Sequence, residues 1–316
     1  MKKERRLTHE ILLVLFLMSC QFQLEALTPQ HDFQAGDKSI ILVTFGSSYE
    51  APHRTFAHIE ASARARFDED TISWAYTAGF IIRKLREGRG QGSLAGKEIM
   101  INNPTETLEQ MIDAGYSTFA VQSLHVIPGE EFDELREAIA DVEARHQGLR
   151  ITVGQPLLTS DEDIAAVAEI LAAKFAAEVE EGPVCFMGHG TPHAADDRYH
   201  KLEKALQNIN PYFFVGTVEG TSFDAGTSNV ESIIAVIDSI SPKSKTVTIA
   251  PLMSIVGDHA NNDMNAITGA TTPADMSWRE QFEAAGYTVN AVMKGLGDYD
   301  EVVAIWMDHL DAVMYK

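Results

Sequence analysis

Cysteine is scarce in this sequence: the 316 residues contain two, Cys20 and Cys185. Cys20 lies in an N-terminal segment that we expect to be cleaved off or lipidated, which would leave Cys185 without a partner. An intramolecular disulfide framework, as in many small secreted domains, is therefore not expected. Cys185 lies in the apolar run Val184-Cys-Phe-Met187, where a buried small hydrophobic side chain is the expected role.

Basic residues are also few, with 25 Lys and Arg against 46 Asp and Glu, so that the formal net charge is −21. A nucleic-acid partner is excluded on this ground, because phosphate backbones are bound by clustered Lys and Arg. No long run of one charge sign appears in the sequence. The acidity is therefore spread over solvated faces, where it favours solubility.

A long apolar run is missing from the N-terminus. Residues 11–18 are all apolar, but a bilayer-spanning helix requires about 20 such residues. They follow a basic start that contains Lys2, Lys3, Arg5 and Arg6. This order is typical of a secretory signal peptide, which we predict over residues 1–26. Export without disulfides favours a periplasmic location.

Two cleavage sites compete in this segment. Cleavage after Ala26, which would release a soluble chain, is the favoured interpretation. Alternatively, Leu17-Met18-Ser19-Cys20 resembles a lipoprotein box, which would place a lipid on Cys20. An uncleaved N-terminal helix in a cytoplasmic protein is the third interpretation.

Beyond residue 37, short apolar runs alternate with helical patterns. Strands are predicted at 40–45, 72–76, 119–124, 150–153, 183–187, 212–218, 245–250 and 287–292. Helices are predicted from the Gly46-Ser47-Ser48 turn to about residue 66 and at 80–86, 104–114, 130–145, 161–179, 194–207, 229–239, 277–285 and 299–314. Strands that alternate with helices indicate parallel sheets covered by helices on both faces.

The two halves of the chain resemble each other. Residues 119–131 align without gaps on residues 247–259, and similar offsets pair Phe45 with His189 and Ala78 with Glu219. We therefore predict an α/β fold of two similar doubly wound parallel-sheet domains around a central cleft. The predicted limits are 38–158 and 159–298, followed by a C-terminal helix at 299–316. Ligands of such sheets bind beyond the carboxyl ends of the strands.

Candidate metal ligands follow three of these strands. His189 stands between two glycines directly after a strand, His259 follows Gly257-Asp258, and Glu219 ends the run from Phe213. Two imidazoles and a carboxylate suit a borderline divalent metal. The alternatives are a hydrogen-bonded turn residue for each histidine and a helix cap for Glu219.

Three other segments do not match the functional motifs that they partly resemble. The loop Gly88-Arg-Gly-Gln-Gly-Ser93 lacks the third glycine of a dinucleotide fingerprint and follows no strand. Gly-Thr-Pro between His189 and His193 breaks the helix that a metalloprotease motif requires. The segment 220–224 does not fit the nucleophile elbow, which ends in glycine. No activated serine or cysteine nucleophile emerges.

Five segments in order, at 41–49, 77–85, 122–131, 186–190 and 250–263, resemble the sirohydrochlorin cobaltochelatases of the anaerobic cobalamin pathway. These are class II chelatases, and the resemblance covers about residues 38–314. It implies insertion of Co²⁺ into sirohydrochlorin in a cleft between two α/β domains. Pro128, a longer stretch around 85–103 and the signal sequence depart from the family pattern.

The resemblance also implies roles for particular residues. Metal binding falls on His189, Glu219 and His259, with catalysis by the two histidines and Glu131. For the carboxylates of the tetrapyrrole, the candidate contacts are Ser47, Ser48, Arg54, Arg83 and Lys84. A chelatase for Fe²⁺ or Ni²⁺ and an exported non-enzymatic tetrapyrrole or metal carrier are the alternative functions.

His125 ends a strand where the second repeat has Met253. A hydrogen-bonded histidine at a strand end is one interpretation. The other is a haem ligand, because histidine is the usual axial ligand of haem iron. A haem site between subunits would also account for a homo-oligomer, which we expect.

Overall fold

A computed structural model describes residues 39–67, 71–226, 228–240, 242 and 244–314. The predicted signal peptide, with both cleavage alternatives, lies outside the described residues. Within them the chain forms two four-stranded sheets in which every strand pair is parallel. The α/β fold of two similar parallel-sheet halves is therefore confirmed.

The first half of the chain builds one sheet and the second half builds the other. The N-terminal sheet contains β1 (Ser39–Thr44), β2 (Thr71–Tyr76), β3 (Thr118–Ser123) and β4 (Arg150–Gly154) in the order β2-β1-β3-β4. The C-terminal sheet contains β5 (Val184–Gly188), β6 (Phe213–Thr217), β7 (Thr246–Pro251) and β8 (Thr288–Ala291) in the order β6-β5-β7-β8. The central strands β1 and β5 are buried along their whole length, as expected of apolar runs covered by helices on both faces.

Eleven α-helices connect and cover the strands in the described part of the chain. They are α1 (Ala51–Arg66), α2 (Gly79–Arg86), α3 (Pro104–Asp113), α4 (Glu130–Arg145), α5 (Asp161–Lys174), α6 (Ala176–Glu181), α7 (Asp197–Ile209), α8 (Thr221–Asp224), α9 (Val230–Ile240), α10 (Trp278–Ala284) and α11 (Asp300–Met314). Capping boxes fix the start of α3, α5 and α10 through Asn103, Ser160 and Ser277. Each box satisfies backbone donors that the first helical turn leaves free.

The single helix predicted over 161–179 was wrong. The chain leaves helical geometry at Phe175, with φ −109° and ψ 22°, and α6 begins at the next residue. The Phe175 ring is buried 5.0 Å from the ring of Phe186 on β5. Packing onto the sheet therefore decides the break, which the apolar pattern alone did not reveal.

Backbone hydrogen bonds confirm the predicted repeat. The Ala78 amide donates to the Phe45 carbonyl at 3.2 Å, and the Glu219 amide donates to the His189 carbonyl at 3.0 Å. The same bond thus joins the ends of β1 and β2 and the ends of β5 and β6. Phe45 and His189 therefore occupy equivalent positions in the two halves.

The C-terminal helix returns to the first half of the molecule. Helix α11 packs on β3, β4 and α1, and Arg66 of α1 pairs with its Asp308 and Asp311 at 2.6 and 2.7 Å. One apolar core runs through both halves. The exact limits 38–158 and 159–298 stay predictions. Among the described residues, no helix combines the length and the apolar character needed to cross a bilayer.

Candidate functional site

His189 is held at the mouth of β5 by the glycines on either side. A Cβ on Gly188 would lie 2.5 Å from the Tyr199 ring. Gly190 has φ +86°, and a Cβ there would lie 1.8 Å from the Glu219 carbonyl oxygen. Only glycine fits either position without displacement of its neighbours. The side chain of His189 is therefore presented, about one third exposed, at the strand end.

His259 lies just before a π-helical turn, Ala260–Met264, that follows β7. The turn places Asp263 so that its Oδ2 atom lies 2.6 Å from Nδ1 of His259. This hydrogen bond raises the pKa of His259 above its usual value, against the opposing effect of burial. The carboxylate accepts from Nδ1–H, and Nε2 of His259 is thereby left with its lone pair.

The two imidazoles meet edge to face. Their ring centroids lie 4.6 Å apart with an interplanar angle of 82°. Nδ1 of His189 lies 2.8 Å from the Gly190 carbonyl oxygen and 3.4 Å from Oε1 of Glu219. Because a carbonyl only accepts, Nδ1 of His189 carries the hydrogen and Nε2 its lone pair. The structure thus brings together His189, His259 and Glu219.

No set of three His, Cys, Asp or Glu side chains within the described ranges has the geometry of a preformed metal cage. His189, Glu219 and His259 therefore lie near one another without forming such a cage.

Glu131, the second residue of α4, lies on the N-terminal side of the cleft. Burial is the largest influence on two neighbouring groups, lowering the pKa of His125 and raising that of Tyr199, and the Glu131 carboxylate acts on both in the upward direction. The backbone of Gly190 and His189 acts on the Tyr199 hydroxyl in the opposite sense and lowers its pKa. Glu131 is therefore electrostatically connected to the loop that carries His189.

His125 points into the protein. Its Nδ1 lies 2.8 Å from Ser123 Oγ, and Nε2 is buried with no hydrogen-bond partner in the described part of the chain. Haem iron at a subunit surface would need an exposed nitrogen. These contacts therefore give no support to haem ligation through His125.

The predicted substrate contacts divide into two groups. The side chains of Ser47 and Ser48 are 2% and 4% exposed, and Ser47 Oγ accepts from the Tyr49 amide at 3.1 Å. Both serines therefore lie within the β1–α1 loop, and their contact with the substrate stays a prediction. Arg54 and Arg83 are exposed, and their role in substrate binding stays a prediction.

Two further residues of the site were missed in the sequence. Asp263 stands four residues after His259 in the same motif, so helical spacing could have indicated it. The Tyr49 hydroxyl donates to Asp258 Oδ1 at 2.7 Å across 209 residues of chain, and no local pattern indicates that contact.

Other hydrogen bonds and ion pairs join the halves around the site. Ser254 Oγ donates to the Leu124 carbonyl at 2.5 Å, and His193 Nε2 lies 3.4 Å from Oδ2 of Asp133. The strand ends of the two sheets therefore face each other, as expected of a cleft built from two copies of one unit.

This design, with one topology used twice and histidine and glutamate side chains at the cleft between the copies, is that of the class II metal chelatases. A solved structure with the same fold is SirB from Bacillus subtilis with Fe³⁺, which aligns with a TM-score of 0.56 at 15% identity over 87% of this chain and 95% of that chain.

The chain belongs to the cobalt chelatase (CbiK) family, whose model matches residues 38–315. It is 32% identical over 295 residues to the sirohydrochlorin cobaltochelatase CbiKC of Nitratidesulfovibrio vulgaris. This alignment covers 92% of this chain and 95% of the relative. It is 31% identical over 275 residues to the sirohydrochlorin cobaltochelatase of Salmonella typhimurium, covering 86% and 95%.

Proposed function

We propose that this protein inserts Co²⁺ into sirohydrochlorin. The observation that carries the proposal is the pair of imidazoles, His189 and His259, that meet beside Glu219 at the strand ends of a cobalt chelatase family member. The metal is a substrate in this reaction and has to leave the protein for the macrocycle.

Insertion requires that two pyrrole N–H protons leave while a partly dehydrated metal ion enters the ring. The hydrogen bonds from Nδ1 leave the Nε2 lone pairs of His189 and His259 free. Each Nε2 is able to bind the metal or to accept a proton, but not both at once. The hydrogen bond to Asp263 raises the pKa of His259, which suits this residue to accept a pyrrole proton.

The carboxylates complete this scheme. Glu219, 3.4 Å from His189 Nδ1, would be the third metal ligand. Glu131, which interacts electrostatically with His125 and Tyr199, would take protons away from the macrocycle on the opposite side. The two groups would thereby separate metal delivery from proton removal.

The experiment that tests the function uses purified protein, metal-free sirohydrochlorin and a panel of Co²⁺, Fe²⁺ and Ni²⁺, followed by absorbance. We expect insertion to be fastest with Co²⁺. The panel is needed because imidazole and carboxylate ligands suit all three ions. Faster insertion of Fe²⁺ or Ni²⁺ would identify that ion, in place of cobalt, as the physiological metal. Tight sirohydrochlorin binding with no insertion of any metal would favour the carrier alternative.

We also propose export to the periplasm, supported by the basic and apolar order of residues 1–26. The mature chain would begin near Leu27. Mass spectrometry of the processed protein tests this, and a mass that corresponds to a lipidated Cys20 start would contradict it in favour of a membrane-anchored form.

We also expect the protein to form a homo-oligomer. Light scattering of the purified protein measures its molar mass in solution and tests this. Haem is not part of the proposed function, because the free nitrogen of His125 is buried.

A further inference from the structure

Two aromatic side chains are exposed next to each other in the N-terminal half. Phe45 is 40% exposed and Phe80 is 48% exposed. Their rings touch edge to face, with centroids 5.9 Å apart and an interplanar angle of 65°. An exposed pair of large aromatic rings is a feature of ligand sites rather than of an ordinary solvated surface.

The pair lies at the end of the sheet where ligands are expected. Phe45 directly follows β1, and Phe80 is the second residue of α2, which follows β2. These strands are neighbours, and the Ala78 amide donates to the Phe45 carbonyl. Both rings therefore stand at the carboxyl end of the N-terminal sheet.

The backbone holds Phe45 in this position. Gly46 has φ +92°, and a Cβ there would lie 2.2 Å from the ring of Tyr76. Only glycine permits the turn to close over the buried Tyr76. The apolar ring of Phe45 is thus kept outside the core although Ile41, Leu42 and Val43 just before it are buried.

The repeat places this pair opposite the metal-binding side chains. Phe45 occupies the position that His189 has in the second half, and Ala78, two residues before Phe80, occupies that of Glu219. The loop after Phe45 reaches across the cleft, where Tyr49 bonds to Asp258 beside His259. One half therefore presents imidazole and carboxylate where the other presents apolar rings.

Positive charge accompanies the rings. Arg83 and Lys84 follow Phe80 on α2, and Lys84 Nζ lies 5.7 Å from the centroid of the Phe80 ring. In a chain with a net charge of −21, a local pair of cations next to an apolar platform matches a flat molecule with carboxylates on its rim.

We propose that Phe45 and Phe80 form an apolar aromatic platform against which the conjugated face of the tetrapyrrole packs, with its peripheral carboxylates directed to Arg83 and Lys84. This inference rests on the proposed function, and it assigns macrocycle binding to the N-terminal half and metal handling to the C-terminal half. The platform holds the ring plane against the imidazoles without contacting the metal.

The test is a titration of metal-free sirohydrochlorin, followed by absorbance, into the wild-type chain and into Phe45→Leu, Phe80→Leu and the double variant. Leucine keeps the apolar volume and removes the ring, so folding should be retained, and thermal unfolding checks this. We expect Kd to rise about tenfold in each single variant and further in the double variant. The KM for Co²⁺ should stay within about twofold of the wild-type value, since no metal contact is removed.

Ile209→Ala is the matched control, because Ile209 is 52% exposed at the end of α7 and away from these strand ends. A double variant that binds sirohydrochlorin as tightly as the wild type, while the wild type inserts Co²⁺, would overturn the platform and leave the proposed function intact. Weaker binding in the variants of a wild-type chain that inserts no metal would support the platform and overturn the insertion activity. A change of oligomeric state in the double variant with unchanged Kd would show that the rings contact a second copy of the chain, and would overturn the proposal.

Discussion

The hydroxyl of Tyr49 donates a 2.7 Å hydrogen bond to Oδ1 of Asp258, the residue immediately before His259. Tyr49 belongs to the β1–α1 loop of the first half, and Asp258 belongs to the loop after β7 in the second half. This bond raises the pKa of Tyr49 above its usual value. It joins the two halves at the cleft, beside a histidine that we assign to the reaction.

Replacement of Tyr49 by phenylalanine should weaken this connection. The bond is exposed, so we expect a loss of unfolding free energy of about 1 kcal/mol or less. The effect on insertion should be larger than the effect on stability, with kcat/KM reduced several-fold, because the loop that carries His259 loses its tie to the other half. Steady-state kinetics and thermal unfolding measure the two effects. Tyr212→Phe, on a tyrosine before β6, is the control, and equal activity losses in both variants would contradict the role of the bond.

His189→Ala and His259→Ala should each abolish most of the insertion activity while the fold is retained. His189 directly follows β5 and His259 lies in the segment after β7, and neither belongs to the core. Loss of a group that accepts a proton typically lowers the rate by about 10²–10⁴-fold. The measurement is the absorbance change of sirohydrochlorin with Co²⁺, accompanied by circular dichroism. His200→Ala on the exposed face of α7 is the control. Wild-type rates in either cleft variant would remove that histidine from the mechanism.

Asp263→Asn should impair insertion through His259 without direct contact with either substrate. The carboxylate fixes the Nδ1–H tautomer of His259 at 2.6 Å, and loss of such an outer partner typically costs about 10–100-fold in metal affinity or activity. Rates at several Co²⁺ concentrations measure the change. Asp275→Asn, in an exposed turn of the same half, should behave as the wild type. If it lost as much activity, general damage to this loop region would be the cause.

Ionisation of Glu280 should make the free energy of unfolding depend on pH under acidic conditions. Its carboxylate accepts from the Thr268 hydroxyl at 2.7 Å and from the amides of Thr268, Gly269 and Ser277. These bonds, the Thr268 side chain foremost, lower the pKa of Glu280 to about 2. Because the folded pKa is depressed, the stabilisation is present above the unfolded value of about 4.3 and is lost as the pH falls towards 2.

Glu280→Gln removes one of the two carboxylate oxygens and the charge. The difference in Tm between wild type and this variant should therefore be constant above about pH 5, shrink below the unfolded pKa and vanish near the folded one. Thermal unfolding between pH 2 and 7 measures it, with Glu143→Gln on α4 as the control. A Tm difference that does not change over this pH range would contradict the assignment.

Much of the fold was predictable because its signals are local. Buried parallel strands appear as short apolar runs, and the helices between them have their own period and caps, as at Asn103-Pro104. The repeat was visible in the sequence because both copies have corresponding residues at the same strand ends. An alignment of the two halves therefore pairs His189 with Phe45. The sequence failed where packing decides, as at Phe175, whose ring turns onto β5 and ends α5.

The sequence by itself determined that His189, His259 and Glu219 follow strands of a parallel sheet, since strand ends are set by apolar runs and glycines. Only the tertiary structure decided how these side chains meet. The 4.6 Å edge-to-face contact of the imidazoles, the Tyr49–Asp258 bond and the inward orientation of His125 join groups from separate elements. Their geometry depends on how two sheets and their loops pack against each other, and local periodicity carries no information about contacts between residues 209 positions apart.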